Sequence, residues 1–126
     1  MKLHQSLTAG LNIFTAYGEG YVAVNNEKHH KNLILLPDAI IQNWSSATVE
    51  TLAETDMQKL LELGTEIILL GTGNRLRFPS GALLRPFAPA GIGVEVMDLQ
   101  AACRTYNILV AEGRKVAAAL LFDDAS

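Results

Sequence analysis

The chain has 126 residues, 49% of them hydrophobic and 18% charged, with a formal charge of −3. That size suits one domain with a real core, and the composition excludes a disordered chain. Lys and Arg are scattered with no basic stripe, which argues against nucleic acid as a partner.

In chain order, residues 1–10 are mixed and polar and read as a loose lead. Residues 11–17 carry β-branched and aromatic side chains in rough alternation, which predicts a strand. Tyr21–Val24 predicts a second strand, and the polar Asn25-Asn26-Glu27-Lys28 suits a hairpin turn. Leu33–Leu36 predicts a third strand, and residues 39–44 a further extended segment. The first third is therefore expected to be an antiparallel β region. Residues 48–53 are ambiguous. Thr55 and Gln58 match a capping box for a short helix.

A run of four apolar residues, Ile67 to Leu70, then stops at Gly71-Thr72-Gly73-Asn74. That reads as a buried strand ending in a tight turn. Ser80 caps a short helix, shortened by Pro86 and Pro89. Residues 94–97 predict the next strand, with Asp98 as N-cap of a helix whose stripe is Leu99, Ala102, Cys103, Tyr106, Leu109 and Val110. Residues 116–122 are apolar at every position, so this last strand has no solvent face and belongs inside an α/β sheet covered on both sides. Residues 123–126 read as a tail. The whole is expected to be a single domain, 1–126.

Three pieces together resemble a known family. They are Leu69-Leu70-Gly71-Thr72-Gly73, the stretch from Gly91 to Met97, and the stretch from Ala102 to Asn107 followed by Glu112-Gly113-Arg114, with Trp44 upstream. The resemblance runs from about Phe14 to Phe122. It is to a family of uncharacterised bacterial and archaeal domains that includes the mitochondrial respiratory complex I assembly factor 3. It implies a three-layer α/β domain with a mixed sheet and an added β region, in which the last strand is antiparallel and interior. It implies no established reaction; one branch acts as an assembly factor through protein contacts.

Candidate sites are few. Gly71, Thr72, Gly73 and Asn74 could form a backbone nest for an anion, with Arg75 and Arg77 adding charge. The turn lies at the carboxyl end of a strand, where open α/β sheets place ligands. The pattern is neither a P-loop nor a full dinucleotide fingerprint, and a tight strand exit explains it as well. Asp98 could face the same crevice as base or ligand, or serve only as an N-cap. Arg114 follows a helix end and suits a contact with Glu112 or Asp98.

Cys103 is the only cysteine, so no intrachain disulfide forms, and on the core stripe it reads as an inert thiol. His29 and His30 lack an evident third ligand, so no metal is expected; no cofactor and no catalytic residue are assigned. The longest apolar run is too short for a bilayer, and residues 1–10 lack a signal-peptide core, so a cytoplasmic protein without membrane insertion is expected.

The expected function is a non-enzymatic interaction or assembly domain. The alternative is a small-molecule or anion binder, or an enzyme, using the 71–74 crevice. On the last helix Ala101, Thr105 and Ile108 lie away from the core stripe and are small or apolar. Either another part of the chain covers them, or they meet a protein partner or a second copy.

Overall fold

The computed structural model describes residues 10–123. The lead before residue 10 and the tail after residue 123 lie outside the described residues. Strands β1 (Phe14–Gly18), β2 (Tyr21–Val24) and β3 (Glu27–His29) form a small antiparallel sheet in that order. The β2–β3 turn uses Asn25 and Asn26, both at positive φ (49° and 75°), the geometry of a tight hairpin.

Strands β4 (Leu33–Leu36) and β5 (Ala39–Gln42) are also an antiparallel hairpin, yet they belong to a second sheet. The strands expected early in the chain are thus all antiparallel, as a three-stranded meander and a hairpin in two sheets, and the turn expected at residues 25–28 is confined to Asn25 and Asn26, with Glu27 and Lys28 in a short strand, β3. A 3-10 turn (Val49–Thr51), helix α1 (Glu54–Leu61) and strand β6 (Ile67–Gly71) follow. Helix α2 (Gly81–Leu84), strand β7 (Gly93–Met97), helix α3 (Leu99–Ala111) and strand β8 (Val116–Leu120) complete the chain.

The second sheet has the order β5-β4-β8-β6-β7. β8 is interior, as its unbroken apolar run requires. It is antiparallel to β4 and parallel to β6, so Ala118 pairs with Leu35 on one side and Leu69 on the other. Alternate residues of β8 point to opposite faces. Val116, Ala118 and Leu120 pack with α3 and the small sheet; Ala117, Ala119 and Leu121 pack with Trp44, Met57, Leu60 and Phe87. Three layers result: α3 with the small sheet, the mixed sheet, and α1 with α2.

Local chemistry sets the helix ends. The Asp98 carboxylate accepts from the Ala101 N–H at 2.8 Å, and the Ser80 hydroxyl accepts from the Ala82 N–H at 3.3 Å. The Thr55–Gln58 capping box does not form. α1 already begins at Glu54, and the Asp56 carboxylate accepts from the Ala53 N–H at 3.0 Å. Arg114 reaches Glu66 at 3.9 Å rather than Glu112 or Asp98.

Polar side chains tie the layers. The Asn107 amide donates to the Phe14 carbonyl at 2.8 Å and accepts from the Phe14 N–H at 2.9 Å. The Tyr106 hydroxyl donates to the Asn12 carbonyl at 3.0 Å, while its ring meets Phe14 edge-on. On the opposite side of the sheet the Trp44 Nε1–H donates to the Leu120 carbonyl at 3.1 Å.

Candidate functional site

β6, β7 and β8 are parallel, and Gly71 is in register with both Met97 and Leu120. Three carboxyl ends therefore meet at one edge. The 71–74 turn leaves β6, Asp98 leaves β7, and Asp123 lies three residues beyond β8. Gly71 lets α3 close on the sheet. A Cβ there would lie 2.8 Å from Leu120 Cδ2 and 3.2 Å from Ala102 Cβ.

The turn holds a carboxylate of its own chain. The Asn74 N–H donates to Asp123 Oδ2 at 2.8 Å, and Arg77 Nη2 donates to Asp123 Oδ1. Gly73 sits at φ +86°, and a Cβ on it would collide with that carboxylate. Glycine is needed there twice over, for backbone shape and for space.

Arg77 spans the site. Its Nη2 also donates to the Thr72 carbonyl at 2.9 Å, and its Nη1 meets Glu50 at 3.1 Å. Thr72 is fully buried, and its N–H donates to the Met97 carbonyl at 2.9 Å. Its hydroxyl donates to the Arg75 carbonyl at 2.7 Å and accepts from the Arg77 N–H at 3.1 Å. Of the amides expected to converge on an anion, Thr72's is spent on the sheet and Asn74's on Asp123.

Beside the turn lies a cleft of about 380 Å³, lined by Glu19, Gly20, His30, Gly73, Asn74, Leu99, Phe122 and Asp123. Gly73 and Asn74 are thus together at its wall. Arg75 is exposed and Asp98 is occupied as the α3 cap; neither lines the cleft. Asp123 is the residue that sequence reasoning misses, since it falls in the stretch that reads as a tail. The strand-end rule that singled out residue 71, applied to β8, points to it. Arg77 was read only as nearby charge.

The rest of the described residues offer little reactive chemistry. Cys103 is buried on the inner side of α3, and that burial, opposed by Arg104, pushes its thiol up from about 9.0 to about 12. It is a protonated, inaccessible group. Burial, with a smaller contribution from Asp38, also raises the Tyr106 hydroxyl above its usual range. Among the described residues no three His, Cys, Asp or Glu side chains gather to hold a metal, and no helix is long and apolar enough to cross a membrane.

The outer side of α3 presents the residues singled out for a partner. Leu99, Ala102, Cys103, Tyr106 and Val110 are buried on the inner stripe. Ala101 and Thr105 are half-buried, and Ile108 is 58% exposed. The described residues leave Ile108 uncovered.

Known proteins share this architecture. A protein of Bordetella parapertussis, known from a crystal structure, is 40% identical, covers 91% of this chain and 98% of its own, and superposes with a TM-score of 0.84. The bovine NADH dehydrogenase 1 alpha subcomplex assembly factor 3 is 33% identical over 108 residues, which is 84% of this chain. This chain spans only 58% of that protein's length. A Francisella tularensis protein described as a 13 kDa major membrane protein is 28% identical over 109 residues, 86% of this chain and 89% of its own. The family model described as protein of unknown function (DUF498/DUF598) matches residues 14–121, and the chain belongs to that family.

Proposed function

We propose that the chain is a non-enzymatic interaction domain of the assembly-factor type, working through protein contacts in the cytoplasm. The carrying observation is the outer side of α3. Ile108 is 58% exposed on the same side as half-buried Ala101 and Thr105, on a helix whose inner residues Leu99, Ala102, Cys103, Tyr106 and Val110 are buried. Small side chains at 101 and 105 let another backbone approach closely, and an isoleucine supplies apolar area to the contact. The relationship to a bovine protein named as an NADH dehydrogenase 1 alpha subcomplex assembly factor supports the same reading. The test is Ile108→Glu. The variant is expected to stay folded, since the residue is exposed, and to lose self-association in sedimentation or a partner in a pull-down. An unfolded variant, or a folded one with association unchanged, overturns the reading.

A second reading is an anion or small-molecule site at Gly71, Thr72, Gly73 and Asn74, with Arg75 and Asp98 as flanking groups. The Asp123 carboxylate supports it by occupying the Asn74 amide and Arg77 as an internal anion would. Asp123→Asn removes that charge and should let sulfate or phosphate shift the Gly73 and Asn74 amide signals saturably, where the parent protein responds far less. Equal, unsaturable shifts in both proteins would remove this reading.

A further inference from the structure

The charge balance inverts in one stretch. Residues 67–94 hold Arg75, Arg77 and Arg85 and no Asp or Glu, in a chain of formal charge −3. Arg77 turns inward to Glu50, Asp123 and the Thr72 carbonyl. Arg75 and Arg85 are exposed, and among the described residues neither makes an ion pair.

Leu76 and Phe78, the two residues flanking the anchored Arg77, are 51% and 69% exposed. Pro79 behind them is buried, so Phe78 stands between two anchored residues. An exposed phenyl ring in that position is a feature of the native surface. Neither Leu76 nor Phe78 lines any of five clefts of about 280 to 610 Å³.

An exposed apolar pair beside free guanidinium groups fits a partner that is negatively charged, apolar just below its surface, and able to yield around a tip. A protein partner would need a shaped apolar groove rimmed with carboxylates. An anionic lipid surface has both properties without a shaped site. We propose that the 75–85 stretch docks the domain on an anionic lipid surface, with Leu76 and Phe78 entering the headgroup region and Arg75 and Arg85 meeting lipid phosphates. No spanning segment takes part, and the proposal is independent of the outer α3 contact. The opposing charges are Glu50, which is paired with Arg77, and Glu54, which borders the cleft beside Ala82, Leu83 and Pro86.

The experiment is co-sedimentation of the full chain with mixed phosphatidylcholine–phosphatidylglycerol vesicles, set against pure phosphatidylcholine vesicles. Binding is expected only to the anionic vesicles and should fall as salt is raised. Arg75→Gln with Arg85→Gln should weaken it roughly tenfold or more, and Phe78→Ser roughly tenfold. Glu54→Gln should strengthen it about two- to fivefold. All are surface changes, and unchanged thermal midpoints check that the fold persists. No binding to anionic vesicles, equal binding to neutral ones, or binding indifferent to the Arg75, Arg85 and Phe78 changes overturns the proposal. So does unfolding of Phe78→Ser, which would make the ring structural. Loss of a protein partner with vesicle binding intact would assign the patch to a protein and overturn it as well.

Discussion

The two faces of the mixed sheet are covered by different means. One face lies under a thirteen-residue helix, α3, backed by the small sheet and tied to it by Asn107 and Tyr106. The other lies under α1 and the four-residue α2, joined by irregular segments that carry Leu76 and Phe78 outward. Both faces bury alternate residues of the same strand, β8. A strand apolar on both sides therefore demands cover but does not dictate its form. The long helix turns its apolar stripe inward and leaves Ile108 outside it, whereas the irregular segment before α2 leaves both Leu76 and Phe78 in water with Arg75 next to them.

The comparison can be broken by truncating one core residue on each side. Tyr106→Ala should cost about 4–5 kcal/mol, from lost volume, a lost contact with Phe14 and an unpaired Asn12 carbonyl. Phe87→Ala should cost about 3 kcal/mol, since the short cover around it can settle into the space. Denaturant unfolding measures both. A larger loss at Phe87 would make the thinly covered face the structural one.

Asn107→Ala sharpens the contrast further. It leaves the Phe14 N–H and carbonyl without their partner, and about 2–3 kcal/mol should be lost. The Phe14 amide should then exchange with solvent far faster, while Ile68 and Ala118 in the sheet keep their relative protection.

At neutral pH the smallest effect concerns Cys103, on the inner side of the thick cover. Its native thiol stays protonated until about pH 12, while the unfolded thiol ionises from about pH 9.0. The raised native value means that this contribution to stability is whole below pH 9.0 and is lost as pH rises toward 12. The stability difference between the parent and Cys103→Ala should fall by at most about 1.4 kcal/mol per pH unit across that window. A flat difference would mean that the thiol reaches water.

Much of this architecture is legible in the residues themselves. The apolar run ending at Gly71, the Asp98 cap and the stripe from Leu99 to Val110 each carry a local signal, and β8 announces its interior place by having no polar position. What is not legible depends on distant pairing. β4 and β5 form a hairpin wherever they lie, and only Leu33 meeting Leu120 and Leu35 meeting Ala118 puts them in the larger sheet. The start of α1 was obscured because Thr55 and Asp56 both offer cap chemistry within two residues, and Asp56 prevails. The turn at Gly73 was visible as a glycine pattern. Its carboxylate was not, because Asp123 comes near Asn74 only once β8 is registered against β6.

The place of β8 bears on how the protein is made. It is the last strand along the described residues and the middle strand of its sheet. On a ribosome, β4 with β5 and β6 with β7 emerge first, as two pairs with nothing to join them. Each then has an edge of unpaired backbone and apolar side chains where β8 belongs, the kind of surface that invites wrong partners during synthesis. Native structure on this side of the molecule must wait for residues 116–120 to clear the exit tunnel. A nascent chain arrested after Lys115 should therefore be digested readily by protease, and one extended by a linker beyond residue 126 should resist.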